Sequence, residues 1–119
     1  LKLSSLPSID DLKFGPDGIM AACIQDANTQ EVLILGSVNE ESLRRTLSTG
    51  KVHLWSKSRN ELWLKGETSG DYLEFREAYV NCEGSTIVIM AVPVTGRACH
   101  KGTHSCFDKP EGGKRTLAL

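Results

Sequence analysis

Apolar and polar positions along this chain alternate in short, interrupted runs, with one segment of helical period. The runs "IMAACIQ" (19–25) and "EVLIL" (31–35) flank the turn-rich "DANTQ", which predicts a β-hairpin. "NEESLRRTLSTG" (39–50) reads as a helix. Asn39 suits its cap, Glu40 and Glu41 suit the positive end of its dipole, and Gly50 stands at the stop. Leu43 and Leu47, four apart, predict one apolar stripe facing the core, which leaves Arg44 and Arg45 to solvent or another subunit. Beyond it, "VHLWS" (52–56), "ELWLK" (61–65), "YLEFREAYV" (72–80) and "TIVIMAV" (86–92) are rich in aromatic and β-branched residues and predict strands. One helix among six or more strands predicts a mainly-β α+β fold, a pseudobarrel or sandwich. The opening 1–18 reads as a lead-in with few regular elements. The Pro- and Gly-bearing stretch 108–119 reads as a loose tail or linker after a domain spanning 1–107.

Composition narrows the class. A chain of 119 residues with 39% apolar and 24% charged residues suits one globular domain. Lys plus Arg total 14 and Asp plus Glu 15, so no basic surplus points to nucleic acid or an anionic membrane. The longest apolar run, "IVIMAV" (87–92), is far short of the ~20 residues of a membrane span. No export signal is evident, which favours a cytoplasmic protein with reduced thiols, although the chain starts at Leu1 and a targeting segment is not excluded.

Three stretches could carry chemistry. "ACHKGTHSC" (98–106) holds Cys99 and Cys106 with His100 and His104, a C-x6-C spacing unlike the close pairs of zinc knuckles. Cys82 is the other cysteine in a polar setting, whereas Cys23 reads as a small buried hydrophobe. Three thiolates with an open place would suit catalytic zinc, and a histidine in the fourth place would close the site. Spacing alone leaves catalytic zinc, structural zinc and no metal open. "VNCEGST" (80–86), read as a strand, puts Asn81, Glu83 and Ser85 on one face, where oxygen ligands could meet Mg²⁺. A single carboxylate makes an exposed polar strand edge or turn the stronger reading. "HLWSKSRNELWLKGETSG" (53–70) interleaves Lys57, Arg59 and Lys65 with Ser56, Ser58, Thr68 and Ser69, near Trp55 and Trp63. Such a group can hold phosphate oxygens while a ring stacks on a base. The glycines bracketing Glu67, Thr68 and Ser69 would let backbone N–H groups curl around an anion, against the plainer reading of a solvated hairpin. His53, in an apolar strand, reads as a packed core histidine.

Together, "VHLWSKSRNELWLKGETSG", "NCEGS" and "CHKGTHSCF" resemble the signature blocks of the phosphoribosyl-AMP cyclohydrolase family of histidine biosynthesis. The resemblance runs from about Gly18 to Phe107 and includes "GIMAACIQD" and "EVLILGSVNEESL". It implies a homodimeric pseudobarrel and a zinc-dependent hydrolysis that opens the adenine ring of 1-(5-phosphoribosyl)-AMP between N1 and C6, giving a formimino-carboxamide product. It further implies one zinc held by Cys82 of one subunit and Cys99 and Cys106 of the other, with His53 and His100 as candidate bases. Trp55, Ser56, Lys57, Ser58, Arg59, Lys65, Glu67, Thr68 and Ser69 would bind substrate. The family's acidic block reads Asp-Cys-Asp-x-Asp and holds Mg²⁺. Here Asn81, Glu83 and Ser85 stand in its place, and losing two of three carboxylates weakens Mg²⁺ binding. Asp71 replaces the usual asparagine after "GETSG". The family is often fused to a pyrophosphohydrolase domain, so such a fused or partner domain is expected. Two readings compete: a non-catalytic zinc-binding relative, and a nucleotide- or RNA-binding module built on the Trp-rich hairpin.

Overall fold

The computed structural model describes residues 8–119, so the first seven residues of the lead-in lie outside the described residues. Among the described residues, six strands and one α-helix make a mainly-β α+β fold. The predicted hairpin is β1 (Met20–Asp26) against β2 (Val32–Val38), antiparallel, with a bulge at Ile24/Gln25. β3 (His53–Ser56) and β4 (Glu61–Leu64) form a second hairpin. β5 (Leu73–Val80) and β6 (Thr86–Pro93) pair antiparallel, and β6 returns to lie parallel to β1. The result is a four-stranded sheet in the order β2-β1-β6-β5 beside the two-stranded β3-β4. Val52 N–H donates to Leu73 O (2.9 Å) and Phe75 N–H to Gly50 O (2.8 Å), which stitches the start of the small hairpin to β5.

Period-2 burial explains β1: Met20, Ala22, Ile24 and Asp26 point inward, joined in the core by Leu33, Val38, Leu54, Leu73 and Ile89. Cys23 faces the other way and is half-buried, so it is not the core hydrophobe expected of it. The chain enters α1 (Glu40–Thr49) through a reciprocal cap. Ser42 N–H donates to Asn39 Oδ1 (2.8 Å) and Asn39 N–H to Ser42 Oγ (2.9 Å). Gly50 ends the helix at φ 78°, a left-handed conformation that favours glycine.

The predicted stripe of α1 is corrected. Leu43 is buried, but its inward companions are Ser42 and Thr46, while Leu47 is 57% exposed. The reason is polar. Thr46 Oγ1 accepts the buried N–H of His53 (2.9 Å) and donates to Ser42 O (2.9 Å), so the helix rolls its hydroxyls toward β3. Arg44 and Arg45 are exposed and pair with Glu40 and Glu41 one turn back. After Phe107, Asp108 bridges to Lys114 across a tight turn, and Lys114 Nζ reaches both Asp108 and Glu31 at 2.6 Å. Among the described residues no helix is long and apolar enough to cross a membrane.

Candidate active site

The loop following β6 carries the two close cysteines and is pinned along the start of β2. Cys106 N–H donates to Leu33 O (2.8 Å) and the buried Ser105 hydroxyl to Val32 O (2.7 Å). Within the loop, Cys99 N–H donates to Thr103 O (3.1 Å) and Gly102 N–H to Cys99 O (2.9 Å). This winding turns backbone N–H groups toward sulfur. The Lys101 N–H holds the Cys99 thiol below its ordinary pKa, helped against burial by the Thr103 hydroxyl, the Cys106 thiol and the Lys65 ammonium. Cys99 is buried and Cys106 exposed, so the pair opens to one side.

Two cavities adjoin here, and the pair lines one of them. One, about 230 Å³, is lined by Trp55, Trp63, Lys65, Cys99, His100 and Cys106, among others. The other, about 460 Å³, is lined among others by Arg59, Glu67, Thr68 and Ser69, and shares Ser56, Trp63, Lys65 and His100 with the first. Soft thiols therefore stand at one end of a continuous cleft and basic and hydroxyl groups at the other.

In the loop 65–70, Glu67 N–H donates to Leu64 O (3.1 Å) and Gly70 N–H to Gly66 O (2.7 Å), and the following Asp71 N–H donates to Ser69 Oγ (3.2 Å). These bonds take the Glu67 and Gly70 N–H groups out of any cradle for an anion.

Other predicted residues lie apart. Lys57 and Ser58 sit exposed on the β3–β4 turn and line neither cavity. His53 is buried beneath β3, its Nδ1 2.8 Å from Lys51 O. A carbonyl only accepts, so Nδ1 carries the proton and Nε2 is the basic nitrogen. His104 does not turn to the cysteines: its Nε2 lies 2.7 Å from Asp26 Oδ2 and its Nδ1 3.6 Å from Glu31.

Residues 81–85 are a turn between β5 and β6, in line with the plainer reading, so Asn81, Glu83 and Ser85 do not share a strand face. Asn81 Oδ1 accepts from Ser85 N–H (2.7 Å) and Thr86 N–H (3.2 Å), and Asn81 Nδ2 donates to Ser85 Oγ (3.1 Å). The turn thus uses the oxygens that Mg²⁺ would need and leaves one exposed carboxylate, Glu83. This donor set does not fit a hard cation.

Cys82, in that turn, is on the other side of the sheet from its supposed partners. The turn caps the β5–β6 edge at the Ala21/Thr86 level, and Cys106 hangs from Leu33 on β2. Two strand spacings across and four residues along put them on the order of 15 Å apart. Consistently, among the described residues Cys99 and Cys106 have no third Cys, His, Asp or Glu ligand in one compact cluster. As a donor set, two adjacent thiols, one with a depressed pKa, fit a thiophilic ion with part of its coordination supplied from elsewhere. The one compact cluster, Glu31, His104 and Asp108, already has the Lys114 ammonium on both carboxylates.

Sequence reasoning missed two supports. Asp71, buried, accepts from Thr95 Oγ1 (2.6 Å) and Arg97 (3.0 Å), tying the loop 66–70 to the chain beyond β6. Asp26 ties the cysteine loop to β1 through His104. A charge closing an otherwise apolar run, as in "IQD", was the available signal for the second.

These features define a small mainly-β protein with one two-ended cleft. The sequence model described as Phosphoribosyl-AMP cyclohydrolase matches residues 34–108. A phosphoribosyl-AMP cyclohydrolase of Clavibacter michiganensis is 47% identical over 107 residues, 87% of this chain and 80% of the relative. One from Nocardioides is 48% identical over 97 residues, 82% of this chain and 78% of the relative. A histidine biosynthesis bifunctional protein of Photobacterium profundum is 43% identical over 99 residues, 83% of this chain and 47% of the relative. The chain belongs to the phosphoribosyl-AMP cyclohydrolase family.

Proposed function

We propose that this chain hydrolyses the N1–C6 bond of the adenine ring in 1-(5-phosphoribosyl)-AMP, within histidine biosynthesis, using zinc in a homodimer of pseudobarrel subunits. The observation that carries the reading is the cleft, with a thiol pair at one end and Arg59, Ser56, Thr68 and Ser69 at the other. A nucleotide bearing two phosphates needs both ends: charge and hydroxyls for the phosphates, and a reactive centre at the base.

Cys99 and Cys106 would hold the zinc with Cys82 of the partner subunit, because the same chain's Cys82 is too far away. Zinc, when bound, lowers the pKa of a coordinated water, less strongly with three thiolates than with three imidazoles. His100 lines both cavities and is the residue we assign to take the water's proton. His53, buried one layer below, is assigned to orient the β3 wall through its bond to Lys51 O. Trp55 and Trp63 offer ring faces to the base, and Glu67 acts at the outer lip. Lys57 and Ser58 would reach a phosphate only from the mouth. The substrate contributes as well: the ribosyl group on N1 makes C6 electrophilic. We assign no step to Mg²⁺. The bifunctional relative supports a fused or separate pyrophosphohydrolase partner, and the reading carries a cytoplasmic setting with it.

Protein purified without chelator should contain about one zinc per chain and turn over phosphoribosyl-AMP, and Cys99→Ser or Cys106→Ser should abolish turnover. Inactive Cys82→Ser and inactive Cys106→Ser proteins, mixed and allowed to exchange subunits, should regain activity. No zinc in the wild type refutes the reading, and no regain on mixing refutes the shared site.

A second reading, a non-catalytic zinc-binding member of the family, is favoured by the single carboxylate of the 81–85 turn. Turnover that disappears in His100→Ala would exclude it.

A further inference from the structure

We propose that Lys65 is the counter-cation of the Cys99–Cys106 pair, a positioning residue for the metal end of the cleft rather than a phosphate ligand. This rests on the reading above that the two thiols hold zinc. Lys65 directly follows β4, and its N–H donates to Val52 O (3.1 Å), which fixes where its stem leaves the backbone. The residue is 6% exposed. Its ammonium lies 5.5 Å from the centroid of the Trp63 ring. Holding an ammonium on so buried a residue costs free energy that nearby negative charge offsets.

The geometry shows what the ammonium faces. Lys65 lines both cavities, and in the smaller one it shares the wall with Cys99 and Cys106. Burial depresses its pKa, opposed by the negative charge of Asp71, Cys99 and Cys106. Asp71 is already committed to Thr95 and Arg97, so the thiols are the partners still to be charged. Phosphates, strongly hydrated dianions, are better served by the exposed Arg59 and the hydroxyls of the outer cavity.

The charge balance gives the role a chemical purpose. Three thiolates around a dication leave one net negative charge, which weakens the activation of a coordinated water. A single buried ammonium cancels it.

The test measures zinc alone, without substrate, by competition with a chromophoric chelator. Lys65→Met keeps the stem's volume and removes the charge, and Lys65→Gln is a second neutral variant should Met not fold, with circular dichroism confirming the fold. Both neutral variants should lose zinc affinity by about tenfold or more, as expected for a unit charge removed from the cavity wall that the two thiols share. Lys65→Arg should restore most of it, and the cobalt-substituted protein should show a shifted thiolate-to-metal absorption band in the neutral variants but not in Lys65→Arg. Unchanged zinc affinity in the neutral variants, with a raised KM instead, would overturn the proposal in favour of phosphate binding. Wild-type protein that binds no zinc would overturn the underlying reading as well, so the two failures are distinguishable.

Discussion

Gly66 and Gly70 bracket the loop that carries Glu67, Thr68 and Ser69, and they should respond very differently to the same added methyl. Both have positive φ, 93° and 82°. For alanine in that region the cost is about 1–2 kcal/mol. A Cβ on Gly70 meets nothing within 4 Å, so the cost should end there. A Cβ on Gly66 would lie 2.5 Å from the carbonyl carbon of Asp71, 2.6 Å from Tyr72 N and 2.7 Å from Asp71 O. Ordinary carbon contacts are about 3.5–4.0 Å, so the backbone must move by about 1 Å. Overpacking of that kind adds about 1–3 kcal/mol. Urea unfolding followed by far-UV circular dichroism should therefore give a loss of about 1–2 kcal/mol for Gly70→Ala and about 2–5 kcal/mol for Gly66→Ala. The displaced atoms belong to Asp71, so Gly66→Ala should also loosen its bonds to Thr95 and Arg97 and lower turnover more than Gly70→Ala does. Equal losses for the two variants would refute the close approach on which this reasoning depends.

Three further outcomes are expected. Asn39→Ala removes the α1 cap and should cost about 1 kcal/mol in urea unfolding, while Asn39→Asp should cost little. Thr46→Val strands the buried N–H of His53 and should cost about 1–3 kcal/mol, visible as a lower melting temperature. Burial pushes the Asp26 carboxyl upward, but the His104 ring and the N–H groups of Asn28 and Thr29 outweigh it and hold the group below its ordinary range. A depressed folded-state pKa gives stability that is present above the unfolded value of ~3.9 and lost as pH falls through the folded one. Asp26→Asn should therefore flatten the drop in urea midpoint below about pH 4, and an unchanged slope would count against the Asp26–His104 pair.

Local signals were legible where one stretch of chain decides the outcome by itself. Asn39 and Gly50 bound the helix because each satisfies backbone groups within its own turn, and the strands follow from short β-branched runs. The helix face was not legible. Leu43 and Leu47 have the right period, but the N–H of His53 needs a buried acceptor, and that need belongs to β3. The turn at 81–85 was legible as the plainer of two readings, because Asn81 and Gly84 are turn residues and a single carboxylate argues against a metal face. The cleft's composition was visible in the basic hairpin and the cysteine loop. Its depth was not, because burial of Lys65 requires the loop beyond β6 to fold over a residue more than thirty positions earlier.

The parallel pairing of β1 with β6 sets an order of events. Ala21 finds Thr86 only after nearly all the intervening chain has been made, so the central strand of the sheet waits for the last one. Contacts this distant in sequence slow folding, because the chain must close a long loop before any of them rewards it. The cysteine loop follows β6 and leans on β2, so it comes later still. During synthesis the hairpin, the helix and the basic loop can form early, with β1 exposing an unpaired edge until β6 arrives. Cys99 and Cys106 therefore reach their place against β2 only once the sheet is complete. If the proposed zinc site holds, slow release of the last strand would lower zinc content along with the folded fraction.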